Sequence, residues 1–165
     1  MATKKGIIIT VIILGAIAVG SSITWILPQN RGSAIMVSNY GDELESVKER
    51  HTLIMATMTS NLNGMLNNTV SPDDFTNMAQ TSSSQTTSLI SELIETNAPT
   101  EWSMSYLNYV EALKKYNDYL TESISLASKV KSGISQNDMS DEMSKLNSLM
   151  NETNSLIAQS NETKP

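Results

Sequence analysis

Cysteine is absent from this chain, and histidine, phenylalanine and proline are scarce, with one, one and four copies in 165 residues. Without cysteine there is no disulfide framework and no thiolate metal site, so zinc fingers, iron–sulfur clusters and cysteine nucleophiles are excluded. With His51 the sole histidine and serines scattered along helical stretches, a nucleophile–base–orienter set has no support. A di-iron four-helix site needs two inward Glu-x-x-His pairs. Lys48, not glutamate, stands three residues before His51, so even one such pair is missing. No glycine-rich phosphate loop occurs. Positive charge is also short, with 11 basic against 17 acidic residues and a net charge of −6. That balance repels nucleic acid and anionic lipid headgroups. These absences argue against an enzyme and against a resident cofactor.

Long apolar runs are missing everywhere but one place. Gly6 to Leu27 contains no charge, is preceded by Lys4-Lys5 and is closed by Pro28, Gln29, Asn30 and Arg31. A helix of roughly 22 residues at about 1.5 Å each spans the ~30 Å hydrocarbon core of a bilayer. The lysine pair favours a cytoplasmic tip at 1–5, a transmembrane helix at 6–27 and a juxtamembrane linker at 28–41. The alternative is a cleaved signal peptide with Ile7–Leu14 as its apolar region and Ala16-Ile17-Ala18 as its cleavage site. The apolar stretch from Ile23 to Leu27, with Trp25 at the interface level, favours a retained anchor. Either way the remainder is exported. Without Lys4 and Lys5 it carries nine basic and seventeen acidic residues, a net −8.

The exported part, residues 42–160, reads as four amphipathic helices followed by a tail at 161–165. Leu44, Val47, His51, Ile54, Met58, Leu62 and Met65 recur by threes and fours, and Asn67-Asn68-Thr69 ends the first helix. Ser71-Pro72-Asp73-Asp74 starts the second with a cap, a proline at the first helical position and acids in the first turn. Its apolar line is interrupted by the wholly polar Thr81–Ser88. Thr100 is the expected cap of the third helix, whose line runs Trp102, Tyr106, Tyr109, Leu113, Tyr116, Leu120, Ile124, Ala127 and Val130. Gly133 suits a left-handed stop, and Ser135 or Asn137 caps a fourth helix with Met139, Met143, Leu146, Met150 and Ile157. Short links between long helices predict an all-α, up-down-up-down four-helix bundle.

Candidate chemistry is confined to three places. His51 with Met55 and Met58 at i+4 and i+7 forms a soft donor set of the kind Cu(I) prefers, although methionine is equally a core filler. Ser82 and Thr86 fall where core residues are expected, level with Tyr116. They are either a polar ligand layer or hydroxyls bonded back to the preceding turn. The third helix holds nearly all the aromatics. Tyr119, off its main line, is expected to face outward as a protein-partner contact. In the membrane helix Ala16 and Gly20 form a small-xxx-small pair that lets a second copy or another helix approach closely. Sequons at Asn67, Asn151 and Asn161 permit glycosylation in an exported protein without predicting it.

A membrane anchor leading into an extracytoplasmic four-helix bundle resembles, in layout, the ligand domains of chemoreceptors and the LemA-type anchored helical proteins. The resemblance implies a single-pass protein facing away from the cytoplasm. It departs from the receptor pattern because no second apolar run follows Ile157, so no signalling across the membrane is expected from this chain alone. The expected function is a non-catalytic interaction domain, an accessory or stabilising subunit of a membrane or envelope complex, contacting lipid through its anchor. The alternative is a small-ligand or Cu(I)-binding module.

Overall fold

Residues 39–165 are the part of the chain that the structure, a computed structural model, describes. The expected membrane helix with its Ala16/Gly20 pair, and the linker as far as residue 38, lie outside the described residues. Among the described residues no helix is long and apolar enough to cross a membrane.

Four α-helices follow one another: α1 Tyr40–Leu66, α2 Pro72–Glu95, α3 Thr100–Lys131 and α4 Gln136–Glu162. Their ends follow local chemistry. Asn39 caps α1 by accepting from the backbone N–H of Gly41 at 3.0 Å. At the other end Asn68 turns left-handed at φ 58°, and Thr69 N–H bonds to Gly64 O at 2.8 Å. That six-to-one closure satisfies carbonyls the helix leaves open. Gly64 is required there, since a Cβ would sit 2.7 Å from Val70 Cγ2. Ser71 and Ser135 cap α2 and α4 by accepting from Asp74 N–H at 3.1 Å and Asp138 N–H at 3.2 Å. Gly133, at φ 84°, makes the stop between α3 and α4. Thr100 is not a cap: Pro99 holds that position without a side-chain bond, and Thr100 is the first helical residue.

Polar links fix the topology. Asp73 meets Lys131 and Thr87 meets Asn117, so α2 and α3 run antiparallel. Ser105 to Ser160 and Lys129 to Glu142 do the same for α3 and α4. Arg50 to Glu92 ties the start of α1 to the end of α2, and Lys48 to Asn161 ties it to the end of α4. This is an up-down-up-down arrangement, with the starts of α1 and α3 at the same end. Asn161, expected in a frayed tail, lies in the last turn of α4.

The core has two parts. Near the α1–α2 turn, Met58, Leu62, Met65, Phe75, Ala79, Leu120, Leu126 and Leu146 pack with Tyr116 and Tyr119. Toward the start of α1, Leu44, Val47, Leu89, Leu93, Tyr106, Tyr109, Val110 and Leu113 form a second cluster. The polar run Thr81–Ser88 is unbroken helix, and Thr81, Ser84, Thr86, Thr87 and Ser88 each satisfy the hydroxyl at the carbonyl four residues earlier.

Candidate functional site

The chemistry-bearing side chains meet between the two core parts, around His51. Counting one turn at a time from Leu44 and Val47 brings this imidazole to the inner face of α1, where it is 0% exposed. Its Nδ1 lies 2.9 Å from the Tyr109 hydroxyl on α3. The ring meets Tyr109 and Tyr116 edge to face, at centroid distances of 5.8 and 4.8 Å. Burial in this aromatic box lowers the histidine pKa to about 4, so the ring is neutral at neutral pH. The same burial pushes the Tyr109 and Tyr116 phenols well above their usual range, so both stay protonated.

Two hydrogens, one from the neutral ring and one from the phenol, are therefore shared out among Nδ1, Nε2 and the Tyr109 oxygen. If Tyr109 donates to Nδ1, Nε2 carries a hydrogen that meets no hydrogen-bond acceptor among the described residues. If Nδ1 donates instead, Nε2 keeps a free lone pair, the form in which imidazole binds a metal. The Tyr116 hydroxyl is likewise buried with no partner. Lys48 sits one turn before His51, with Nζ 2.6 Å from Asn161 Oδ1 and 5.4 Å from the centroid of the Tyr109 ring. Desolvation lowers its pKa, offset by nearby Glu45.

Of the expected soft donors, Met58 is buried within the first cluster and Met55 is half-buried against it. Among the described residues no group of three or more histidine, aspartate and glutamate side chains is placed to hold a metal ion. Ser82 and Thr86 do reach the core. Thr86 gives its hydroxyl to Ser82 O at 2.8 Å, and no hydrogen bond joins either residue to Tyr116.

Tyr119 does not face outward. It is 4% exposed and stacked on Tyr116 at 5.4 Å and an interplanar angle of 15°. The cause is the central position of α3, which α1, α2 and α4 cover on three flanks. Ser105, Ala112, Tyr119 and Leu126, at seven-residue spacing, line the flank that Ser105 bonds to α4. The exposed apolar side chains are others: Leu53 on α1, Ile94 on α2, and Met104 and Leu107 on α3, each 56–59% exposed. The register set by Asp73–Lys131 and Thr87–Asn117, carried one heptad further, places Ile94 opposite Val110 and one turn from Leu107. The signal was present in the sequence as two apolar residues, at i and i+3, off the buried line of α3.

A second polar constellation lies at the α3–α4 turn, where a surface depression of about 590 Å³ is lined by Lys129, Ser135, Asp138, Glu142 and Lys145. Lys129 and Lys145 bond Glu142 Oε1 at 2.7 and 2.9 Å and, together with Glu122, hold its pKa at about 2. The charges there are mutually satisfied, apart from Glu142 Oε2, which has no partner.

The chain matches no protein-family model, no curated protein and no solved structure.

Proposed function

We propose that this chain is a non-catalytic, single-pass membrane protein whose four-helix domain lies outside the cytoplasm and binds other proteins, as an accessory or stabilising subunit of a membrane or envelope complex. The observation that carries the reading is the pairing of the uncharged run Gly6–Leu27 with exposed apolar side chains at Ile94, Met104 and Leu107 on a bundle whose core is otherwise filled. Half-exposed leucine, isoleucine and methionine side chains grouped on one surface gain about 25 cal/mol for each Å² they lose to a partner. A net −8 outside the anchor directs that partner toward neutral or basic protein surfaces. The test is native mass spectrometry of the full-length chain taken from its own membrane in mild detergent. A stoichiometric partner, lost in a Met104→Asp/Leu107→Asp variant, supports the subunit reading. A lone chain overturns it.

The buried, unpartnered His51 Nε2 and Tyr116 hydroxyl favour one other reading, a small-ligand or Cu(I) module. It requires that the purified protein take Cu(I) from a competing chelator and that His51→Leu abolish the uptake. Failure to compete removes the copper form of that reading.

A further inference from the structure

We infer that Asn67 is a glycan acceptor, and that of the three sequons in the chain it alone accepts a glycan in the folded protein. The inference rests on the extracytoplasmic placement of the bundle proposed above. Glycan transfer to Asn-X-Thr requires one enzyme to engage both the asparagine amide and the threonine hydroxyl, so the two must be reachable from the same side. Within an α-helix, residues i and i+2 are rotated about 200° apart and point to opposite faces.

That rotation separates the three sequons. Asn151 and Thr153 are both inside α4. Asn151 is exposed, but Thr153 is 0% exposed and gives its hydroxyl to Leu149 O at 2.9 Å. Asn161 lies in the last turn of α4, with its amide oxygen held by Lys48 at 2.6 Å. Its threonine, Thr163, bonds Gln159 O at 2.8 Å and Asn108 at 3.3 Å.

Asn67 differs in its backbone and in the exposure of its threonine. It stands at the C-cap of α1, where the helical ladder has ended, and Asn68 reverses the chain at φ 58°. Asn67, Asn68 and Thr69 are all exposed. The Asn67 amide makes no side-chain hydrogen bond among the described residues. The Thr69 hydroxyl spends its hydrogen on Gly64 O at 2.9 Å, in a contact at the protein surface. The middle residue is not proline, which a left-handed position could not accept in any case.

The donor is a lipid-phosphate-linked sugar, and the catalyst is a membrane glycosyltransferase on the outer side. The Asn67 amide nitrogen forms the new bond to the anomeric carbon. The bond from that carbon to the phosphate oxygen breaks, the lipid phosphate leaves with the bonding pair, and the amide proton passes to solvent. No oxidant or reductant takes part.

The experiment uses the full chain in the membranes of its own cells. Site-resolved glycopeptide mass spectrometry is combined with protease treatment of intact cells. The expected result is a glycan mass on the Asn67 peptide and bare peptides at Asn151 and Asn161. The mass and its gel shift are lost in Asn67→Gln and Thr69→Ala and kept in Thr69→Ser. Asn67→Gln leaves the fold intact because the side chain is exposed and bonds nothing. A glycan at Asn151 or Asn161 overturns the inference. A bare Asn67 on a bundle that the protease reaches overturns the inference and leaves the placement standing. A bundle sheltered from the protease, with Asn67 bare, overturns both.

Discussion

The end of the bundle near the α1–α2 turn and the end where α1 starts are built from the same four helices in different ways. The first is the drier: methionine, leucine, phenylalanine and alanine side chains fill its core, and its buried polar groups are few, Ser123 bonded back to Tyr119 O and Glu142 held by Lys129 and Lys145. The second is laced with polar groups. Lys48, His51, Ser105 and Ser160 are buried there, and Tyr106, Tyr109 and Asn161 bond across helices. Apolar packing is tolerant of slippage, whereas buried polar groups are costly unless each meets its partner. The dry end supplies stability that depends on volume. Polar links between helices occur at both ends, and the buried imidazole at the polar end makes stability depend on pH.

Removing volume from the dry end has the largest effect. Phe75 is fully buried, and Phe75→Ala is expected to cost about 3–5 kcal/mol through lost transfer energy plus the cavity left behind. Denaturant unfolding of the full chain at pH 7 measures it, and a loss under about 1 kcal/mol would mean this end is not a packed core.

The polar end is probed with acid. His51 titrates at about 4 in the folded chain and near 6.5 when unfolded. Between those values the unfolded chain binds the proton and the folded one does not. Stability therefore falls as pH drops from about 6.5 to 4, by roughly 3 kcal/mol from this group, and this contribution is constant above and below that window. In His51→Leu/Tyr109→Phe the difference in stability between pH 7 and pH 4 is expected to shrink by that amount. Both hydrogen-bond partners leave together, so the double variant orphans neither of them. A pH dependence that survives unchanged would assign it to the carboxylates.

Ser71→Ala sharpens the comparison from the dry end. Loss of the N-cap bond to Asp74 is expected to cost about 1 kcal/mol, with no dependence on pH between 5 and 8. The smallest effect is expected at Thr86→Val. Its hydroxyl is satisfied within its own helix at Ser82 O, so the isosteric change should alter stability by no more than about 0.5 kcal/mol. A much larger loss would show that the hydroxyl serves a bound group.

Much of this arrangement was legible beforehand, because helix number, helix ends and antiparallel order are written in local chemistry. Ser71-Pro72, Ser135 and Gly133 act within a few residues of themselves, and spacing by threes and fours needs only one helix. What was not legible depends on how many neighbours a helix has. A single apolar stripe on α3 predicted one buried face and left Tyr119 outside, but a helix covered on three flanks buries a wide arc, including serine and alanine positions that carry no hydrophobic signal. The run Thr81–Ser88 left two readings open, a ligand layer or hydroxyls bonded back to the preceding turn. Its hydroxyls looked like a demand for partners, and the helix backbone met that demand locally. The His51–Tyr109 bond joins residues 58 positions apart, and no local pattern announces it.

Lys48 and Asn161, with Glu45 and Lys164, bring the first turns of α1 beside the last turn of α4. Residues 39 and 165 therefore leave the bundle at the same end. A pulling force applied between them does not shear four helices past one another. It parts α1 from α4 one contact at a time, starting at the Lys164–Glu45 and Lys48–Asn161 contacts, so mechanical opening should begin at low force. An atomic force trace with handles at these two positions would show an early, shallow rupture before the dry end gives way.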